Sequence, residues 1–89
     1  MNGLIAAEPK SRRQLLLRFS DGAWGMFDAR RYIDADTEMT RPLSDLAFFP
    51  SCFIAAGALA WPNGFDLSAQ SLHERLREAG ALRRDVAAA

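Results

Sequence analysis

The 89-residue sequence predicts a small α+β domain: an antiparallel sheet of about four to five strands, with a short middle helix and a C-terminal helix packed on one face. Three observations predict it. Two apolar, strand-length runs, QLLLRFS and AWGMFD, are joined by Asp21-Gly22. A second apolar run, CFIAAGALAW, is divided by Gly57. After Pro62-Asn63-Gly64 comes a stretch with Leu72, Leu76 and Ala79 at helical spacing.

In chain order, GLIAAEP alternates weakly and adds a third antiparallel strand before Pro9 breaks the pairing. The Asp-Gly pair between the next two runs reads as a two-residue type I′ turn, because both positions tolerate positive φ. That turn sets the register. It pairs Phe19 with Trp24 and Leu17 with Met26, which puts Leu15, Leu17, Phe19, Trp24 and Met26 on the covered face. Leu16, Arg18, Ala23, Gly25 and Phe27 then share a mixed, partly exposed face. DARRYID reads as a single helical turn or irregular connection, capped by Asp28, with Tyr32 and Ile33 packing inward. The acidic DADTE that follows is a solvated loop. LSDLAFFP describes one or two helical turns, with Ser44 as N-cap, Leu46 and Phe49 at i and i+3, and Pro50 as the stop. CFIAAGALAW supplies either two short strands with a tight turn or one strand bulged at Gly57. The last element is a helix from about Ser68 to Ala79, capped by Asp66 or Ser68 and stopped at Gly80. Residues 1–80 form one domain, and 81–89, ending in VAAA, are expected to be a frayed tail.

Composition bounds the function. Eleven basic and eleven acidic side chains cancel, and this balance disfavours a nucleic-acid binder that works by charge alone. One Cys excludes an internal disulfide framework, and no apolar run is long enough for a membrane span. The N-terminus lacks the pattern of a secretory signal, so a cytoplasmic setting is the expectation. A chain of this size buries only about 60% of its unfolded surface, so homodimerisation would support it.

The chemistry-bearing residues are few. With one His and one Cys, only an oxygen-rich metal site is within reach. Asp34, Asp36, Glu38 and Asp45 imitate positions of a calcium loop, but Met39 stands where that loop needs Gly and Pro42 interrupts it. No metal and no cofactor are expected. Cys52 opens an apolar run and reads as a small hydrophobe, while His73 falls off the Leu72 and Leu76 stripe and reads as exposed. No GxSxG elbow, P-loop or GxGxxG occurs, and no catalytic residue is assigned. What remains is charge. Arg12, Arg13, Arg30 and Arg31, joined by Arg18, are candidates for meeting on one side, and Asp34, Asp36 and Glu38 form the acidic counterpart; both sets are candidate partner-binding residues. Trp61, locked by Pro62, is read as a structural residue covering the sheet.

LLLRFSDGAWGMFDARRYID, PLSDLAFF and ALAWPNGFDLSAQSLHE together resemble the bacterial domain of unknown function DUF2442. The likeness runs from about Gln14 to Glu74. Its most specific part is Trp61, Pro62, Asn63, Gly64 and Asp66, with Asp21-Gly22 at the first hairpin. The segment RRYIDADTEMTRPL is longer than the family's usual link. The resemblance implies a small α+β fold and no established activity. Some members look like modules fused to a helix-turn-helix, and others like one half of a pair resembling toxin–antitoxin systems. The 15 residues after Glu74 are too few for a helix-turn-helix unit, so the DNA-binding version does not carry over.

The resulting expectation is a non-enzymatic protein-binding module, in its concrete form an antitoxin-like or inhibitory partner of another protein, such as the product of an adjacent gene. The alternatives are a nucleic-acid-associated regulator using the arginines and, behind it, a small enzyme whose site is illegible.

Overall fold

The computed structural model describes residues 3–84 as two antiparallel sheets around a shared core, with one main helix. The first sheet contains β1 (Leu4–Pro9), β2 (Gln14–Phe19), β3 (Ala23–Asp28) and β7 (Arg83–Arg84), in the order β1-β2-β3-β7. The second contains β4 (Phe53–Ala55), β5 (Ala58–Ala60) and β6 (Asp66–Leu67), in chain order. Helix α1 (Arg30–Ala35) follows β3, and α2 (Ala69–Glu78) follows β6. The α+β class and the antiparallel pairing agree with the sequence. The strands, however, are divided between two sheets instead of sharing one.

The β2–β3 register differs from the sequence expectation by one residue, and the difference turns β3 over. Arg18 pairs with Trp24, Leu17 with Gly25 and Leu16 with Met26. The loop is therefore Ser20-Asp21-Gly22, closed by a hydrogen bond from Gly22 N–H to the Phe19 carbonyl at 3.1 Å. Only Gly22 takes positive φ, at 89°. A type I′ turn would have put Asp21 there as well. Asp21 instead stays on the ordinary side of φ and accepts a hydrogen bond from Ala23 N–H at 3.0 Å, an Asx-type brace. Because side chains alternate, a one-residue change exchanges the faces of the strand. Ala23 and Phe27 are buried with Leu15, Leu17 and Phe19, whereas Trp24 is half-buried and Met26 exposed.

The two-residue positive-φ turn occurs in the second hairpin instead. Ala55 pairs with Ala58, and the intervening Ala56 and Gly57 have φ of 50° and 80°. Of the two readings of CFIAAGALAW, two strands with a tight turn is the observed one. Ala56 carries backbone strain there that a glycine or asparagine would relieve. This hairpin docks onto the first sheet through Leu4, whose N–H donates to the Gly57 carbonyl at 2.9 Å.

The segment 41–51 does not form the expected helical turns capped by Ser44. Two short 3₁₀ turns, Arg41–Ser44 and Phe49–Ser51, flank a bend. The cap is Asp45, whose Oδ1 accepts from Ala47 and Phe48 N–H. Leu43 and Phe49 point inward, while Leu46, expected to pack, is 65% exposed. Asp28 assists α1 from one position further out than expected: Ala29 is the N-cap, and Asp28 Oδ1 accepts from Arg30 N–H at 2.9 Å. The segment beyond α1 is closed by Thr37 and Thr40, each hydroxyl accepting the other residue's N–H.

Helix α2 starts at Ser68, whose hydroxyl accepts Ser71 N–H; Asp66 belongs to β6 and does not cap it. Leu72 and Leu76 enter the core. The helix ends in a Schellman motif, with Gly80 N–H on the Arg77 carbonyl and Ala81 N–H on the Leu76 carbonyl. Of the expected tail, 83–84 pair with β3, and 85–89 lie outside the described residues.

Candidate functional site

Inner-face residues of the first sheet, Leu15, Leu17, Phe19, Ala23 and Phe27, pack with Leu59 and Trp61 of the second sheet's end and with Leu72 and Leu76 of α2. The residues of the outer face are half-buried or exposed. Along it lie Leu16 opposite Met26, and a row of Arg18, Trp24 and Arg83 across β2, β3 and β7. Met26 is 40% exposed and Ile5, at the β1 bulge, is 64% exposed. Arg18 and Arg83 have no acidic partner among the described residues. The expectation had put Trp24 and Met26 in the core, so this surface was missed; the signal that could have revealed it was Phe27, too large and apolar for an outer face beside Arg18.

Behind the hairpin turn, Asp21 is the centre of a polar cluster. Its Oδ1 accepts Ala23 N–H, and its Oδ2 lies 3.1 Å from His73 Nε2 and 2.8 Å from Arg84 Nη2. Its carbonyl accepts from Arg84 Nη1. The Ala23 hydrogen bond, opposed by burial and reinforced by Arg84 and His73, holds the carboxyl below the ordinary carboxylate range. His73 was expected to be exposed. Its side chain is only 17% exposed, because the imidazole edge packs on Phe19 at 5.0 Å between centroids. One carboxylate thus ties the β2–β3 turn to α2 and β7.

This cluster gives a prediction. Asp21→Asn keeps an acceptor for Ala23 but removes the negative charge that faces His73 and Arg84. It should cost about 1–2 kcal/mol at neutral pH, the lower end applying because exposed Arg84 is screened. Since the folded pKa is lowered, the carboxylate's contribution is present above its unfolded pKa and is lost as pH falls through the folded one. Urea unfolding should therefore show a gap between wild type and variant at neutral pH that closes in acid. A gap of constant size would assign the effect to packing alone.

The candidate arginines do not form one patch. Arg12, Arg13 and Arg30 line a concavity of about 180 Å³ together with Ile33, Asp34 and Ser44. Arg13 sits 3.5 Å from Asp28 and Arg30 sits 3.5 Å from Asp34, so two of the three charges are already opposed. Arg31, one helix position on, faces a different cleft with Arg75. Arg18 is on the outer sheet face. The acidic candidates are similarly spent: Asp34 on Arg30, and Asp36 on Arg41 at 2.9 Å, leaving Glu38 without a partner among the described residues. No group of three His, Cys, Asp or Glu in metal-binding reach occurs among the described residues. Cys52 is half-buried, and burial pushes its thiol above the ordinary range, away from the nucleophilic thiolate.

The WPNG segment organises the opposite end. Trp61 N–H donates to the Phe65 carbonyl and Gly64 N–H to the Trp61 carbonyl, closing the turn. The indole N–H donates to the Phe49 carbonyl at 2.9 Å inside the core. Asn63 accepts Phe65 N–H and reaches the Met39 carbonyl at 3.1 Å, pinning the long link after α1. Pro62 and Asp66 are exposed.

A family model described as a protein of unknown function, DUF2442, matches residues 4–78. The chain belongs to this family. No curated protein and no solved structure matches it. In this DUF2442 domain the matched span ends with the last residue of α2, so Asp21 and His73 lie inside it and Arg84 outside. The motif residues Asp21, Gly22, Trp61, Asn63 and Gly64 shape turns and hold the core together, and none of them lies on the open sheet face. No helix among the described residues is long and apolar enough to cross a membrane.

Proposed function

We propose that the chain is a non-enzymatic protein-binding module whose contact surface is the outer face of the β1-β2-β3-β7 sheet. The observation that carries this is the combination of Leu16, Trp24 and exposed Met26 with Arg18 and Arg83, which have no acidic partner among the described residues, on the face of the sheet turned away from the buried core. An apolar centre with an aromatic anchor and an Arg rim is the composition of protein contact surfaces. Charge complementarity names the partner: a protein surface with an apolar centre flanked by carboxylates. The acidic loop is the weaker candidate because Asp34 and Asp36 are paired internally. The concrete form of this reading is an inhibitory, antitoxin-like pairing with another protein.

The test places a photoreactive benzoylphenylalanine at Met26 and, separately, at Glu38, with crosslinking in the native cell. The expected result is one discrete protein adduct through position 26, absent from position 38, whose crosslinked peptide contains Asp or Glu. Charge reversal at Arg18 and Arg83 together should abolish it. Equal adducts from both positions, an adduct to nucleic acid, or an adduct to a second copy of this chain would each overturn the reading.

A further inference from the structure

Helices α1 and α2 meet over a cleft of about 350 Å³ lined by Arg31, Arg75, Glu78 and Ala79. Two guanidinium groups from distant parts of the chain face it, and neither has a carboxylate within ion-pair distance among the described residues. With Glu78 included, the lining carries one uncompensated positive charge.

Arg75 is held in a particular way. Its guanidinium carbon sits 5.2 Å from the centroid of the Tyr32 ring, a cation–π stack. Tyr32 itself is braced by Phe27 and Phe65, each at 5.9 Å between ring centroids. The Nε of Arg75 is buried with no hydrogen-bond partner among the described residues. A stacked, planar fork has surrendered its rotamer freedom before any ligand arrives, and among the described residues its terminal N–H groups are unspent. An arginine used only for solubility would pair or extend into water; this one is fixed against an aromatic floor beside Arg31, which has no ion-pair partner among the described residues.

We infer that Arg31 and Arg75 form a binding site for an oxyanion, a carboxylate or phosphoryl group, independent of the open sheet face. The planar fork of Arg75 would take two oxygens of the ligand side by side, and Arg31 would close from α1 as a second donor. Glu78 sets the charge limit, since it offsets one of the two arginines and weakens the hold on multiply charged groups.

The experiment follows the Arg Nε–Hε signals of the whole chain by NMR while inorganic phosphate or acetate is added at constant ionic strength. Saturable shifts of Arg75 and Arg31 are expected, with half-saturation at about 1–20 mM for at least one anion. Whichever anion saturates at the lower concentration names the group as phosphoryl or carboxylate. Arg75→Lys, which keeps the charge but loses the stacked fork, should weaken binding about tenfold, and Glu78→Gln should tighten it about threefold. Arg77→Ala, which removes an exposed arginine paired with Glu74, should leave the curve unchanged. The amide spectra report that each variant is folded. Shifts that stay linear to about 50 mM for both anions, equal shifts at Arg12 and Arg83, or a folded Arg75→Lys protein with the wild-type curve would overturn the site.

Discussion

Replacement of Trp61 by alanine is expected to remove a large share of the chain's folding stability. The indole is 1% exposed, packs within 5.6 Å of the Phe65 ring and 6.2 Å of the Phe49 ring, and donates to the buried Phe49 carbonyl. Removing a core aromatic costs about 3–5 kcal/mol, and the Phe49 carbonyl would then lose its donor. For a chain of this length the whole stability is about 4–13 kcal/mol. The loss is thus a large share of the total. Trp61→Phe separates the two contributions: it retains most of the apolar area and forfeits the N–H, at an expected cost of about 1–2 kcal/mol. Urea unfolding followed by far-UV circular dichroism ranks the three proteins. An alanine variant as stable as wild type would remove Trp61 from the centre of the core.

The second large effect is expected at Gly25. A Cβ there would lie 2.7 Å from the Ala81 carbonyl oxygen and 3.1 Å from Leu76 Cδ1. Leu76 can rotate its side chain, but Ala81 is backbone, held by its N–H in the Schellman motif that ends α2. The chain after the helix must therefore move outward, taking Arg83 and Arg84 from the edge of β3 and Arg84 from Asp21. Overpacking of this kind costs about 1–3 kcal/mol. In a domain of this size that lowers the melting temperature by about 10 °C. Hydrogen exchange should quicken at 83–84 while the β1–β2 ladder remains protected. An unchanged melting temperature would mean that the helix C-terminus is not seated on this glycine.

These two positions also show what was readable in advance. Trp61 was recognisable as structural because a bulky aromatic followed by Pro-Asn-Gly describes a locked turn at a strand end. Gly25 carried no local signal. Its role depends on Ala81, which reaches it only after α2 has packed across the sheet. His73 was misread for the same reason: it lies off the Leu72 and Leu76 stripe, yet the hairpin turn 52 residues earlier in the chain supplies both a carboxylate and the Phe19 ring. The arginine groups looked contiguous in the sequence, but adjacent positions on a helix point about 100° apart. Arg30 and Arg31 accordingly line different clefts.

Local patterning was sufficient for the class of the fold, the β1 and β2–β3 strands, the terminal helix and the family likeness, and it left a hairpin and a bulged strand open at Gly57 and Asp66 and Ser68 open as the helix cap. Each depends on strand alternation, helix periodicity or a turn residue within a few positions. It was not sufficient for the face of β3. Asp21-Gly22 suits a two-residue loop and also a three-residue loop with Ser20, and nothing within the hairpin separates them. Burial does: the longer loop places Ala23, Gly25 and Phe27 against α2 and the core, where a flat, small-residue surface lets the helix terminus approach. The same choice turns Trp24 and Met26 outward and creates the open face, because side-chain direction in a strand is set by register and register is set by what the packed fold must cover.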